Sequence, residues 1–120
     1  DFDYLNLSVI PDNRKLVHQR IEDRLHNMLK DGLLEEVSEL KTMYSGLILP
    51  AMSTIGYKQA DEYLKNKISL DIMKSNTLAA TRQLAKRQIT WLRHLDATTV
   101  YTFTDYDNIQ SRIDIFLDRA

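Results

Sequence analysis

Two segments of this chain read as β-strand, one near each end, and roughly ninety residues separate them. From Tyr4 to Ile10, Leu5, Leu7 and Val9 alternate with Asn6 and Ser8, the period of a half-buried strand. Pro11 ends the run, because proline has no N–H for a ladder. Thr98 to Phe103 (TTVYTF) is rich in β-branched and aromatic residues. Two short strands cannot bury both faces of a sheet by themselves. Their strand–helix–strand order favours a parallel pair. The expected class is α/β and predominantly helical: two short parallel strands flanking a helical lobe, in a sheet whose other strands lie outside this chain. The first strand starts almost at the first residue with no turn before it, so the chain reads as a piece of a larger fold.

The intervening residues carry helical periodicity. Asp12 or Asn13 caps a helix expected over 14–30, with Val17, Ile21, Leu25 and Met28 on one face. Asp31-Gly32 stops it. A second helix is expected over 33–44, with an apolar stripe of Leu34, Val37, Leu40 and Tyr44. Residues 45–55 form a loop, and Ser53 or Thr54 caps a short third helix over 56–65. Ser69 caps a long fourth helix over 70–95. Asp107 with Gln110 three residues on resembles a capping box for a last helix, whose apolar face is Ile109, Ile113, Phe116 and Leu117.

Composition narrows the chemistry. The chain has no cysteine, so disulfides, thiolate metal sites and a cysteine nucleophile are excluded, and a reducing, cytoplasmic setting is expected. No apolar run approaches the roughly 20 residues of a membrane span, and no membrane partner is expected. Gly32, Gly46 and Gly56 are the three glycines, too far apart for a phosphate-cradling loop.

The formal net charge of −1 conceals a division. Residues 1–39 hold nine acids and five bases, residues 40–104 four acids and nine bases, and residues 105–120 four acids and two bases. From Ile72 to Leu95 there are five bases and no acid. On a helical wheel Lys86 falls about 40° and Arg93 about 20° from Arg82, a basic stripe with Gln83 and Thr90 beside it. Ala80, Leu84, Trp91 and Leu95 fall opposite and read as the buried side, so Trp91 is assigned to the core rather than to base stacking. The stripe suits phosphates, sugars and base edges, and equally an ordinary solvated face. The stretch Ser53 to Gln59 combines a glycine, a helix start, Lys58 and the Tyr57 ring, and is open to the same two readings. His18, Glu22 and His26 recur at i, i+4 and i+8 but diverge too far to hold one metal ion, and no Ser/His/Asp set stands out. Arg20 and Arg24 share a helix face suited to an anion or to nearby carboxylates.

ATRQLAKRQITWLR (80–93), LVHQRIEDRLHNML (16–29), GLLEEVSEL (32–40), LPAMSTIGYKQ (49–59) and YLKNKIS (63–69) resemble, in order and spacing, the C-terminal part of the tRNA dimethylallyltransferases, also called tRNA isopentenyltransferases. The resemblance covers most of the chain and is weakest in the last strand and helix. It implies a fragment of a P-loop NTPase-like, nucleotide-binding fold. The complete enzyme would move a dimethylallyl group from dimethylallyl pyrophosphate to the exocyclic amine of the adenosine 3′-adjacent to the anticodon, using magnesium. The P-loop and catalytic Asp belong to the family's N-terminal part, so no catalytic or metal residue is expected here, and the chain alone is expected to be inactive. The implied partner is the tRNA anticodon arm, and the implied enzyme is monomeric.

Carried over by motif, the tRNA-binding residues are Ser53, Thr54, Ile55, Gly56, Tyr57 and Lys58, together with Lys86, Arg87, Gln88, Ile89, Thr90, Trp91, Leu92 and Arg93. Arg20 and Arg24 lie near the family's pyrophosphate side. The implied organisation is a core strand and helix (1–30), a helical tRNA-binding part (31–95) and a final strand and helix (96–120). Many members carry arginine where this chain has Ser53, which replaces a charged phosphate contact by a hydroxyl. Asn66 stands where a glycine is common, and asparagine tolerates the same left-handed backbone. Two other readings fit the residues less closely: a prenyltransferase of free adenine nucleotides, and a non-enzymatic helical adaptor.

Overall fold

The computed structural model describes residues 3–95, 98–102 and 104–119. Their order is β1 (Asn6–Ile10), α1 (Arg14–Lys30), α2 (Leu33–Met43), a 3-10 turn (Pro50–Ser53), α3 (Tyr57–Leu64), α4 (Leu70–Arg93), β2 (Thr98–Thr102) and α5 (Tyr106–Asp118). Phe103, placed in the second strand by its sequence, lies outside the described residues. β1 and β2 pair in parallel, from Asn6 opposite Thr98 to Ile10 opposite Thr102. The α/β, mostly helical reading and the parallel pairing both hold.

The helix boundaries follow local chemistry. The Asn13 side chain accepts the Leu16 N–H at 2.8 Å and starts α1. Gly32, at φ +105°, makes the turn between α1 and α2. Ser69 Oγ accepts the Ile72 N–H at 3.2 Å and starts α4. Asn66 does adopt the left-handed conformation, at φ +58°. Two caps differ from expectation. α5 begins behind Asp105, not Asp107, and the Asp105 carboxylate accepts both the Thr102 N–H (3.1 Å) and the Thr102 hydroxyl (3.0 Å). Gln110 meanwhile donates to Asp114 at 3.1 Å along the helix. The α3 cap is described with the interface below.

Close packing divides the chain into two compact units, one drawn from residues up to Val17 and from Ala85 onward, the other from His18–Leu84. The division falls inside α1 and inside α4. The His18–Leu84 unit has a core of Leu25, Leu33, Val37 and Ala60, with Met28, Leu29, Leu34, Met52, Tyr57, Leu64 and Leu78 packed against it. Met73 and Thr77 on α4 are also buried, and the Thr77 hydroxyl donates to the Met73 carbonyl at 2.8 Å. Tyr44, read as part of the α2 stripe, is 42% exposed because α2 ends at Met43, one residue before it.

In the other unit the burial of β1 does not follow the alternation of its apolar residues: Leu7 is half-buried and Asn6 exposed. Ser8 and Ile10 are the buried positions of β1, and Val9 is 43% exposed. Period-two geometry separates the two sets of residues but does not say which set is covered.

Candidate nucleic-acid interface

The first candidate stretch lies between the 3-10 turn and α3, within the His18–Leu84 unit. Pro50 opens the turn, its fixed φ suited to a first helical position. The Ser53 hydroxyl donates back to the Pro50 carbonyl (2.7 Å) and the Thr54 hydroxyl to the Ala51 carbonyl (2.6 Å). Neither hydroxyl caps α3, which corrects the sequence reading. Gly56 is the residue before the helix, at φ 96° and ψ −58°, and its N–H is accepted by the Gln59 side-chain oxygen at 2.7 Å. The Lys58 N–H goes to the Thr54 carbonyl at 3.0 Å, so the Gly56 and Lys58 amides are both engaged within the chain.

Tyr57 packs on the core cluster and its hydroxyl donates to Glu36 Oε1 at 2.7 Å. That hydrogen bond, then burial, then the Glu36 charge hold the Tyr57 phenol above its ordinary value of 10.0. The half-buried ring anchors α3 to α2. Ile55 is half-buried, Gly56 is buried, and Ser53, Thr54 and Lys58 are exposed.

The second stretch is the C-terminal end of α4, in the other unit. Lys86, Arg87, Gln88, Thr90 and Arg93 are exposed, and Ile89 and Leu92 half-buried. The Thr90 hydroxyl donates to the Lys86 carbonyl at 2.9 Å, and His94 Nδ1 lies 2.7 Å from the Thr90 carbonyl. Farther up the stripe, Arg82 is half-buried, and its Nε is buried without a hydrogen-bond partner among the described residues. Trp91 is 63% exposed, and Leu84 and Leu95 are also exposed, which corrects their assignment to the core. The buried positions of α4 are Met73 and Thr77, in its first half. A shared helical face need not be covered along its whole length.

A carbonyl oxygen only accepts, so Ser53, Thr54 and Thr90 must each be the donor in these bonds. Their remaining lone pairs can accept from a 2′-hydroxyl or a base N–H, whereas attraction for phosphate falls to Lys58, Lys86, Arg87 and Arg93. Arg20 and Arg24 are exposed on α1, and Arg20 is already engaged within the molecule. Among the described residues no three His, Asp or Glu side chains come together to hold a metal ion, and His18, Glu22 and His26 do not form such a group.

Sequence reasoning missed one cluster. Asp61 accepts from Lys41 Nζ at 2.6 Å and from Lys65 Nζ at 2.9 Å. Burial pushes the Asp61 carboxyl up, but the two lysine hydrogen bonds and charges outweigh it and hold the group below 3.8. The Asp61–Lys65 half is an i, i+4 pair legible in the sequence, while Lys41 arrives only because α2 packs on α3.

A profile of the family described as IPP transferase matches residues 1–95. The chain is 41% identical over 116 residues to a tRNA dimethylallyltransferase of Legionella pneumophila strain Paris, covering 96% of this chain and 36% of that protein. It is 41% identical over 114 residues to the tRNA dimethylallyltransferase of Coxiella burnetii strain RSA 331 / Henzerling II, covering 94% and 37%. The crystal structure of the full-length tRNA isopentenylpyrophosphate transferase of Bacillus halodurans superposes with a TM-score of 0.80 at 26% identity, over 95% of this chain and 38% of that one. The chain thus spans a little over a third of the length of the curated relatives it matches.

Proposed function

The chain belongs to the IPP transferase family, and from that premise we propose that it is the tRNA-binding part of a tRNA dimethylallyltransferase. The complete enzyme transfers a dimethylallyl group from dimethylallyl pyrophosphate to the exocyclic amine of the adenosine 3′-adjacent to the anticodon. The observation that carries this reading is the match over residues 1–95, with curated relatives of that name 41% identical over 96% of the chain.

Within it, residues 1–30 serve as a core strand and helix, 31–95 as the helical tRNA-binding part, and 96–120 as the final strand and helix. Lys58, Lys86, Arg87 and Arg93 draw in and orient the phosphates of the anticodon arm. Ser53, Thr54, Gln88 and Thr90 meet riboses or bases. Ile55, Gly56, Tyr57, Ile89 and Leu92 shape the two segments, and the open Trp91 ring faces the RNA. Drawing an adenine out of its stack costs a few kcal/mol, which several anchors on the arm offset. Pyrophosphate and magnesium chemistry lies in the part of the enzyme that this chain does not cover, with Arg20 and Arg24 nearest to it. The enzyme acts as a cytoplasmic monomer.

The test is prenylation of an anticodon stem-loop by the complete protein, read as the mass gain of one dimethylallyl group on the RNA. Prenyl transfer to AMP but not to the stem-loop would replace the tRNA reading with a free-nucleotide one. Absence of any RNA retention would leave only an adaptor.

A further inference from the structure

Beside the 53–58 stretch, wholly within the His18–Leu84 unit, lies an open cavity of about 570 Å³ bounded by the end of α2, the loop after it, and α3. Its walls combine charged, aromatic and apolar groups, the last from Leu47, Ile48, Leu49 and Met52. Lys41, Lys58 and Lys65 line it with a single carboxylate, Asp61, among them, so the positive charge is in excess. Asp61 pairs with Lys41 and Lys65 at 2.6 and 2.9 Å, which draws two ammonium groups together while each keeps donors to spare. Tyr44 lines the same cavity, and the residue is 42% exposed.

Ser53 also lines it, and its hydroxyl proton is committed to the Pro50 carbonyl. Donation to an anion at this rim therefore comes from the lysines. Paired ammonium groups in one cavity with a half-exposed tyrosine match one unstacked nucleotide, with its phosphate on the cations and its base on the ring.

We propose that this cavity is a nucleotide subsite of the RNA interface, in which Lys41, Lys58 and Lys65 hold a backbone phosphate and Tyr44 stacks on the adjoining base. The proposal rests on the tRNA-binding reading above and adds Tyr44, Lys41 and Lys65 to it. Two sources share the anion chemistry, an RNA phosphodiester and free phosphate, and the subsite takes the former.

The experiment measures binding of an anticodon stem-loop to the complete protein over a series of salt concentrations. Tyr44→Ala lowers affinity by about fivefold or more at an unchanged salt slope, and Tyr44→Phe restores it. Lys65→Ala, which leaves Asp61 paired with Lys41, weakens binding and reduces the salt slope by roughly 0.7, the value for one single-strand phosphate. A merely structural lysine would not move that slope. Lys86→Ala, on the other unit, serves as the independent probe of the parent reading. If it loses affinity while Tyr44→Ala and Lys65→Ala bind like wild type, the subsite is overturned and the tRNA reading stands. If wild type does not retain the stem-loop, both fall. Inorganic phosphate at matched ionic strength displaces the RNA no more than chloride does. Stronger displacement that disappears in Lys65→Ala would make the cavity a free-anion site and overturn the nucleotide assignment.

Discussion

Ser53 and Thr90 illustrate how a side chain's role depends on where its one proton goes. Both hydroxyls donate to carbonyls of their own turn or helix, at 2.7 and 2.9 Å, so phosphate binding rests on the exposed cations. Lys86→Ala and Arg93→Ala are therefore expected to weaken anticodon-arm binding by similar amounts across RNA sequences and to flatten its salt dependence. Filter binding at two salt concentrations checks this, and unchanged binding in both variants would reduce the stripe to solvated surface. Tyr57 has a different task. Its neutral hydroxyl donates to Glu36, and its folded-state pKa is raised. That contribution is complete below the ordinary phenol value of 10.0 and is lost as pH rises through the higher folded value. Tyr57→Phe should cost about 1 kcal/mol at neutral pH and weaken the alkaline decline in stability, as read by denaturant melts. Asp61 carries the opposite sign. Its folded pKa is lowered, so its contribution is present above 3.8 and lost as pH falls through the lower folded value. The lysine pairs formed by Asp61 are partly exposed, so that acid-side effect should shrink with added salt.

At the scale of elements, helix starts and stops were legible because they are set within a few residues. Asn13, Gly32, Asn66 and Ser69 behave as their side chains and φ values dictate. The start of α3 differs from the sequence reading because the cap position falls at Gly56, two and three residues beyond Thr54 and Ser53, whose hydroxyls stay within the 3-10 turn. Gly56 takes the position instead, with φ 96° and open space where a Cβ would sit. Gly56→Ala should thus cost on the order of 1–2 kcal/mol from backbone strain rather than from a clash. The cost should appear as a lowered thermal midpoint together with weaker RNA binding. Between elements, Val37 on α2 is fully buried in the core it shares with Ala60 on α3. Val37→Ala removes two methyl groups there and should cost about 2 kcal/mol in the same melts.

At the scale of the whole molecule, the two units should differ in local stability. The His18–Leu84 unit holds the apolar core, whereas β1 pairs only with β2 among the described residues. Hydrogen exchange on the 120-residue chain should show the β1 and β2 amides opening more readily than those of α2 and α3. The sequence was sufficient for the α/β class, the parallel pair, most helix boundaries and the family, since propensity, capping and motif order reside in short stretches of chain. It also located the basic segment around Lys86 and Arg93. Only the tertiary structure decided that Ser8 and Ile10 are the buried residues of β1 while Val9 is exposed, and that Trp91 is exposed in this chain. It alone joined Lys41 to Asp61 and placed Tyr44 beside three lysines in one cavity. Periodicity sorts residues into faces, but burial depends on which element arrives to cover a face. Ion pairs between elements depend on packing across some twenty residues of chain, beyond the reach of any local pattern.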